Sequence, residues 1–409
     1  MNFPFPPIVA SRRIEPQMQA IVAIPAKDEA EKLPACLQAL ANQTDELGRP
    51  LERGVFGVVI FANNCSDDSA YAARLAAGGA PFVLRVVEAR LPRTQAHAGG
   101  ARRKAMDLAE AWLRELRAFD GVILTTDADS QVAPNWICAN LSAFAQDVDA
   151  VLGQISLDED GERLPPALHA RGKLESVYED LLAEIFALLD PQLCNPWPHH
   201  ATISGASLAL RREAYLRVGR LPRIPLGEDK ALVAALLRHD ARIRFAPEVT
   251  VVTSARIAGR AVGGVADTLR LRSDDPAALC DEALEPCATA FKRALWRGRL
   301  RRGGLTAAGG WREALHIPAA VARRAQASST FGEAWLRVEQ SSPQLAKRRM
   351  VPADLPHEIE RATRLLRRLQ EWLTAREDFE PVLGAPICAD NVDPSLETSD
   401  EDFGGLVSG

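Results

Sequence analysis

Asp127 and Asp129 stand one residue apart in the run Thr125-Thr126-Asp127-Ala128-Asp129-Ser130. An extended i, i+2 pair projects both carboxylates to one side of the backbone. Like charges held that close repel unless a cation or a proton lies between them. Their hard oxygens suit Mg²⁺ or Mn²⁺, which bind through one or two carboxylates plus substrate phosphates. The pair also fits a second reading, an Asp-rich turn that caps the following helix.

The elements that must position the pair are legible as apolar runs. Residues 20–25, 57–61, 82–87 and 122–125 read as strands, and 101–117 as a helix. A second helix follows the first strand, with Leu33, Leu37 and Leu40 on one face and Pro34 in its first turn. Such alternation argues a parallel sheet covered on both faces. Ligands of these sheets bind outside the strands' carboxyl ends. Lys27-Asp28-Glu29, Asn63-Asn64 and Asp127/Asp129 all fall at such ends, so one site can gather all three. Further strands are expected over 150–155, 206–210 and 243–252, with helices over 170–190 and 230–238. Beyond about residue 272 only helical segments are expected, near 276–300, 309–325, 331–339 and 356–376.

The chain has 409 residues, 47% of them hydrophobic, and a net charge of -5. That length suits one large α/β domain plus an extension. The charge gives no reason to expect nucleic-acid binding. The seven cysteines include no C-x-x-C pair, which points to a reduced protein without structural zinc. Met1–Pro16 carries four prolines and no apolar core of a secretory signal. With no membrane-length apolar run, the expected location is cytoplasmic, or peripheral at the inner face of the membrane.

In order, the chain presents Pro25-Ala26-Lys27-Asp28-Glu29, Asn63-Asn64-Cys65-Ser66-Asp67-Asp68-Ser69 and Ala101-Arg102-Arg103. Asp127-Ala128-Asp129, Ser204-Gly205-Ala206-Ser207 and Gly227-Glu228-Asp229 follow. Over roughly residues 18–260 this series resembles the family 2 glycosyltransferases of the GT-A fold. The resemblance implies a Rossmann-like, mixed but mostly parallel sheet flanked by helices, with a helical C-terminal extension. The expected division is an N-terminal extension (1–17), a GT-A domain (18–271), a helical region (272–389) and a disordered acidic tail (390–409).

The resemblance also implies roles. A nucleoside-diphosphate sugar would be lined by Pro25, Ala26, Lys27 and Glu29, with Glu29 near the ribose or base. Asn63 would face the base, and Arg102 the base and phosphates. Asp129 would hold the metal and Asp127 the ribose or metal. Gly205 would lie where acceptor and donor sugar meet. Glu228 and Asp229 match the family's catalytic pair, with Asp229 as base.

Two departures qualify this. The family's usual base-reading aspartate is Asn63 here. An amide both donates and accepts, so it does not single out uracil. The Q-x-x-R-W pattern of processive synthases is absent, which favours transfer of a single sugar. A non-catalytic nucleotide-sugar-binding or scaffold protein on the same fold is the alternative.

Weaker signals remain. Arg256 and Arg260, after the last strand, can hold a diphosphate or simply face solvent. His97 and the His199-His200 pair beside Trp197 are candidates for contact with donor and acceptor. Lys292–Arg302 holds six basic residues and no acid, and can rest on an anionic membrane surface or end a solvated helix.

Overall fold

The computed structural model describes residues 18–158, 164–254 and 265–377. The elements run β1 (Ala20–Ala26), α1 (Leu33–Ala41), β2 (Phe56–Asn63), α2 (Ser69–Ala76), β3 (Val83–Ala89), α3 (Ala98–Glu115) and β4 (Val122–Thr125). Next come β5 (Ser130–Val132), α4 (Trp136–Phe144), β6 (Ala150–Asp158), α5 (Pro166–Leu189), β7 (Leu208–Arg211) and α6 (Arg212–Arg217). Then follow α7 (Glu228–Arg238), β8 (Ile243–Ser254), α8 (Val265–Asp274), α9 (Cys287–Ala307) and α10 (Trp311–Ala314). The last helices are α11 (Ala319–Gln326), α12 (Phe331–Ser341) and α13 (Leu355–Glu377).

One mixed sheet has the order β3-β2-β1-β4-β7-β6-β8-β5. β3, β2, β1 and β4 are mutually parallel, and β7 runs antiparallel between β4 and β6. β1, β2 and β4 are covered on both faces, which is why they read as unbroken apolar runs. One core cluster joins α1 and α4 to one face of the sheet, and a second joins α3 and α7 to the other.

β5 is not anticipated by the sequence reading. Its three residues pair antiparallel with β8, and Ser130 Oγ lies 2.9 Å from Thr253 Oγ1. A segment this short has no periodicity of its own, and only the pairing defines it. Its presence rules out the helix-cap reading of Asp127 and Asp129. The next helix, α4, starts only at Trp136 and is flanked by Asn135. The two aspartates instead lie in a turn between β4 and β5, closed by Ser130 N donating to the Asp127 carbonyl at 3.1 Å, so the pair is not extended as the sequence reading assumes.

After β8 the described residues contain helices alone. α5 does not stay with the sheet: it packs with α9 and α13 in a separate apolar cluster containing Tyr178, Ile185, Phe291 and Leu366. Three arginines of the basic segment are paired with protein carboxylates. Arg293 pairs with buried Glu285, and Arg297 and Arg301 both reach the buried carboxylate of Asp190 at the end of α5. Arg293 is buried and Arg297 half-buried, while Arg301 stays exposed beside its carboxylate. No helix among the described residues is long and apolar enough to cross a membrane.

Gly298 sits inside α9 rather than ending it; the helical geometry breaks at Gly304 instead. A Cβ on Gly298 would fall 2.1 Å from the Leu189 carbonyl oxygen. Its lack of a side chain thus lets α9 touch α5 backbone to backbone. Gly298→Ala is expected to force the helices apart and lower stability by about 1–3 kcal/mol, read as a drop in thermal midpoint.

Candidate active site

The loops after β1 and β2 are stitched together. Asp28, at φ 54°, accepts from Ser66 N at 2.6 Å and Ser66 Oγ at 3.0 Å. Ala30 N donates to Asp67 Oδ2 at 3.0 Å, and Glu29 N donates to Ser69 Oγ at 2.8 Å. The Ser66 amide holds the Asp28 carboxyl below its usual range. Asp28, Cys65 and Asp67 bring their ligand-type atoms within 4.8 Å of one another. Both carboxylates there already accept hydrogen bonds from the two loops, so the group reads as a clasp.

That clasp ties the loops after β1 and β2 together at the sheet's carboxyl end. Ala26 and Glu29 are buried, Pro25 is half-buried and Lys27 is exposed. Asn63, at the end of β2, is 1% exposed, and its Oδ1 has no hydrogen-bond partner in the protein. A buried polar atom without a partner costs roughly 1–3 kcal/mol, so such atoms mark places where something else binds.

Arg102, on α3, lies at the centre. It is 6% exposed and makes four hydrogen bonds. Nη2 donates to Asp127 Oδ1 at 2.8 Å, and Nε to Glu228 Oε1 at 3.0 Å. Nη1 donates to the Gly205 carbonyl at 2.8 Å and to Thr125 Oγ1 at 3.2 Å. Two carboxylates raise its pKa despite the opposing effect of burial. The guanidinium, expected beside the donor's base and phosphates, is thus engaged by protein acceptors from β4, the Gly205 loop and α7.

Gly205 must be glycine here, because a Cβ would lie 2.5 Å from Arg102 Cζ. Its amide N donates to Asp229 Oδ2 at 2.9 Å. Asp229 Oδ1 in turn accepts from Lys230 N at 2.7 Å, which fixes the carboxylate at the first turn of α7. Gly99 completes the joint: a Cβ there would meet the Ile224 carbonyl at 2.3 Å and the Glu228 side chain at 3.3 Å. The start of α3 therefore abuts the start of α7.

Asp127 and Asp129 are both partly exposed. The buried Cys36 thiol faces them from α1, with its Sγ 3.5 Å from the Asp127 carbonyl. Burial and the charges of Asp129, Asp127 and Glu29 push that thiol well above its ordinary pKa. The remaining donors are hard carboxylate oxygens, one of them held by Arg102. That set fits Mg²⁺ or Mn²⁺ with the other ligands supplied by a substrate, and does not fit a soft metal.

Other expected residues stand apart from this centre. His97 caps α3, accepting from Gly100 N at 3.0 Å. His200 is buried and bonded to the Leu152 carbonyl, and burial lowers its pKa to about 4. His199 lies edge-on to Trp197, 5.3 Å between centroids. Arg256 and Arg260 fall outside the described residues, as do the N-terminal extension and the tail. The sequence reading missed the clasp at Asp28 and the central position of Arg102. Its ion pairs span 25 and 126 residues, and no spacing rule reaches that far.

Residues 21–215 match the model of the family described as Glycosyl transferase family 2. The chain carries a family 2 glycosyltransferase domain over that stretch. Its eight-stranded mixed sheet flanked by helices agrees with the sheet expected from the ordered motifs. No curated protein matches the chain. Among solved structures, residues 1–349 of S. aureus TarS in complex with UDP give a TM-score of 0.43 at 14% identity, covering 87% of this chain and 92% of that one. The mannosyltransferase PcManGT from Pyrobaculum calidifontis, with GDP-Man and Mn²⁺, gives 0.42 at 16% identity, covering 87% and 83%. Glucosyl-3-phosphoglycerate synthase from Mycobacterium tuberculosis, with Mn²⁺, UDP and phosphoglyceric acid, gives 0.34 at 17% identity, covering 63% and 78%. At these values no residue role is taken from them.

Removing Arg102 leaves Glu228 and Asp127 without their shared cation. Arg102→Ala is expected to cost about 3–5 kcal/mol in urea unfolding. Arg102→Lys keeps the charge but not the fork, and is expected to recover only part of that loss.

Proposed function

We propose that this protein is an inverting, non-processive glycosyltransferase, moving one sugar from a nucleoside-diphosphate donor to a hydroxyl acceptor with help from Mg²⁺ or Mn²⁺. One observation carries the reading: Arg102 and Gly205 tie Asp127 to Glu228 and Asp229 at a single mouth. A cation-type pair and a base-type carboxylate thus share one scaffold. The same reading keeps residues 18–271 as the catalytic unit, with α5 shared with the helical region.

Each residue has a task. Pro25, Ala26, Lys27 and Glu29 border the nucleotide. The Oδ1 of Asn63 accepts an N–H from the base edge, which several bases can offer. Asp129 is the metal ligand and Asp127, half engaged by Arg102, borders the ribose or the metal. A divalent cation bound there would neutralise charge on the leaving diphosphate. The Asp229 carboxylate takes the acceptor hydroxyl's proton as that oxygen bonds to the anomeric carbon. The bond from that carbon to the diphosphate oxygen breaks, and the diphosphate leaves with the electron pair. A single displacement from the opposite side inverts the anomeric centre. Glu228 holds Arg102 and so sets the orientation of the Gly205 loop against which donor sugar and acceptor would meet.

Asp129→Asn is expected to abolish the Mn²⁺-dependent part of the thermal stabilisation given by UDP or GDP. Unchanged metal dependence would move the metal elsewhere. Asp229→Asn is expected to retain nucleotide binding while kcat falls by about a hundredfold or more. Full transfer in that variant would require another base.

A further inference from the structure

We infer that the C-terminal helical region is a positioning element for the transfer reaction, holding α7 at both ends and so fixing the depth of Asp229. The inference rests on the reading of Asp229 as base. α7 is only 11 residues long. Its inner face packs on the sheet through Leu232, Val233 and Leu236. Its amino end is tied by Glu228 to Arg102 and by Asp229 to Gly205. Directional bonds at its carboxyl end complete its placement.

The carboxyl end of α7 is gripped by α12. Just past α7, Asp240 adopts φ 53° and turns its carboxylate onto the start of α12. Oδ2 accepts from Phe331 N at 2.8 Å and Oδ1 from Gly332 N at 2.7 Å. Thr330 Oγ1 donates to the Arg238 carbonyl at 2.6 Å and accepts from Glu333 N at 3.2 Å. One hydroxyl thus caps the end of α7 and the beginning of α12. A Cβ on Gly332 would fall 1.9 Å from the Leu237 carbonyl, so the two backbones are in direct contact.

A weaker, solvent-exposed contact reaches the amino end from the segment before α9. Lys230, next to Asp229, places Nζ 2.8 Å from Glu282 Oε1 and 3.8 Å from Asp281 Oδ1. The residue after the proposed base therefore bonds the same C-terminal region that α12 belongs to. Sliding α7 along its axis would break the bonds that Arg238 and Asp240 make with the start of α12. This gives the C-terminal region a role in catalysis without any of its residues touching substrate.

The test uses the full chain carrying Asp240→Ala with Glu282→Ala. Three readouts are needed: transfer kcat, affinity for UDP and GDP with Mn²⁺ by calorimetry, and hydrogen exchange of α7 amides. The expected result is a kcat lower by about tenfold or more, since small misplacements far from the chemistry cost that much. Nucleotide affinity should hold to within about twofold, and α7 amides should exchange faster while those of α1 and α3 do not. Faster α7 exchange with unchanged kcat would overturn the positioning role, and so would unchanged exchange. Asp240→Asn, which keeps one acceptor for the α12 amides, is expected to restore part of kcat. If the double variant does not fold, Thr330→Val gives the same three readouts. Should Asp229→Asn prove active, the base assignment fails, while the exchange data still decide whether the region holds α7.

Discussion

A buried guanidinium shared by two carboxylates is the constraint on which the site depends. Arg102 lies between Asp127 and Glu228, and neither burial of the cation nor burial of Glu228 is tolerable alone. Desolvating a single charge costs several kcal/mol, and only good geometry with further hydrogen bonds repays it. Here the further bonds come from Thr125 and the Gly205 carbonyl. The consequence is geometric. The end of β4, the Gly205 loop and the start of α7 cannot move independently, because each supplies an acceptor to one rigid planar group.

The close approaches follow from that centre. Gly205 is bare because Arg102 occupies the space of its side chain, and Gly99 is bare because the loop before α7 does the same. Removing side chains at these points lets α3, β4 and α7 converge tightly enough for one arginine to span them. The helical region then secures α7 from outside, so the sheet, α3 and the C-terminal helices all act on the placement of Asp229.

Much of the sheet was readable because β1, β2 and β4 are buried on both faces and show as plain apolar runs. The ordered polar clusters at their carboxyl ends were readable for the same reason: a parallel sheet sends them to one side. β5 was not readable, since three residues acquire strand character only by pairing with β8. Nor was the pairing of the basic segment with protein carboxylates. Arg297 and Arg301 look like surface charge until Asp190, more than a hundred residues away, is placed beneath them. Arg102 was picked out by motif, but its engagement by Glu228 and Asp127 depends on tertiary distances that no local pattern encodes.

The charge pattern has one more consequence for donor binding. Among the described residues, Asp127 and Glu228 share the Arg102 guanidinium, and Asp229 bonds the Gly205 amide beside them. A diphosphate approaching such a site meets net negative charge, and its entry is opposed in proportion to how poorly water screens the pocket. Partial neutralisation of Asp127 by Arg102 lessens that opposition without reversing it. A divalent cation between Asp129 and the diphosphate would turn repulsion into attraction at the point where leaving-group charge develops. The acidic mouth is therefore better suited to an anionic donor that arrives with a cation than to one that arrives alone, which is the physical reason to expect donor and metal to bind as a pair.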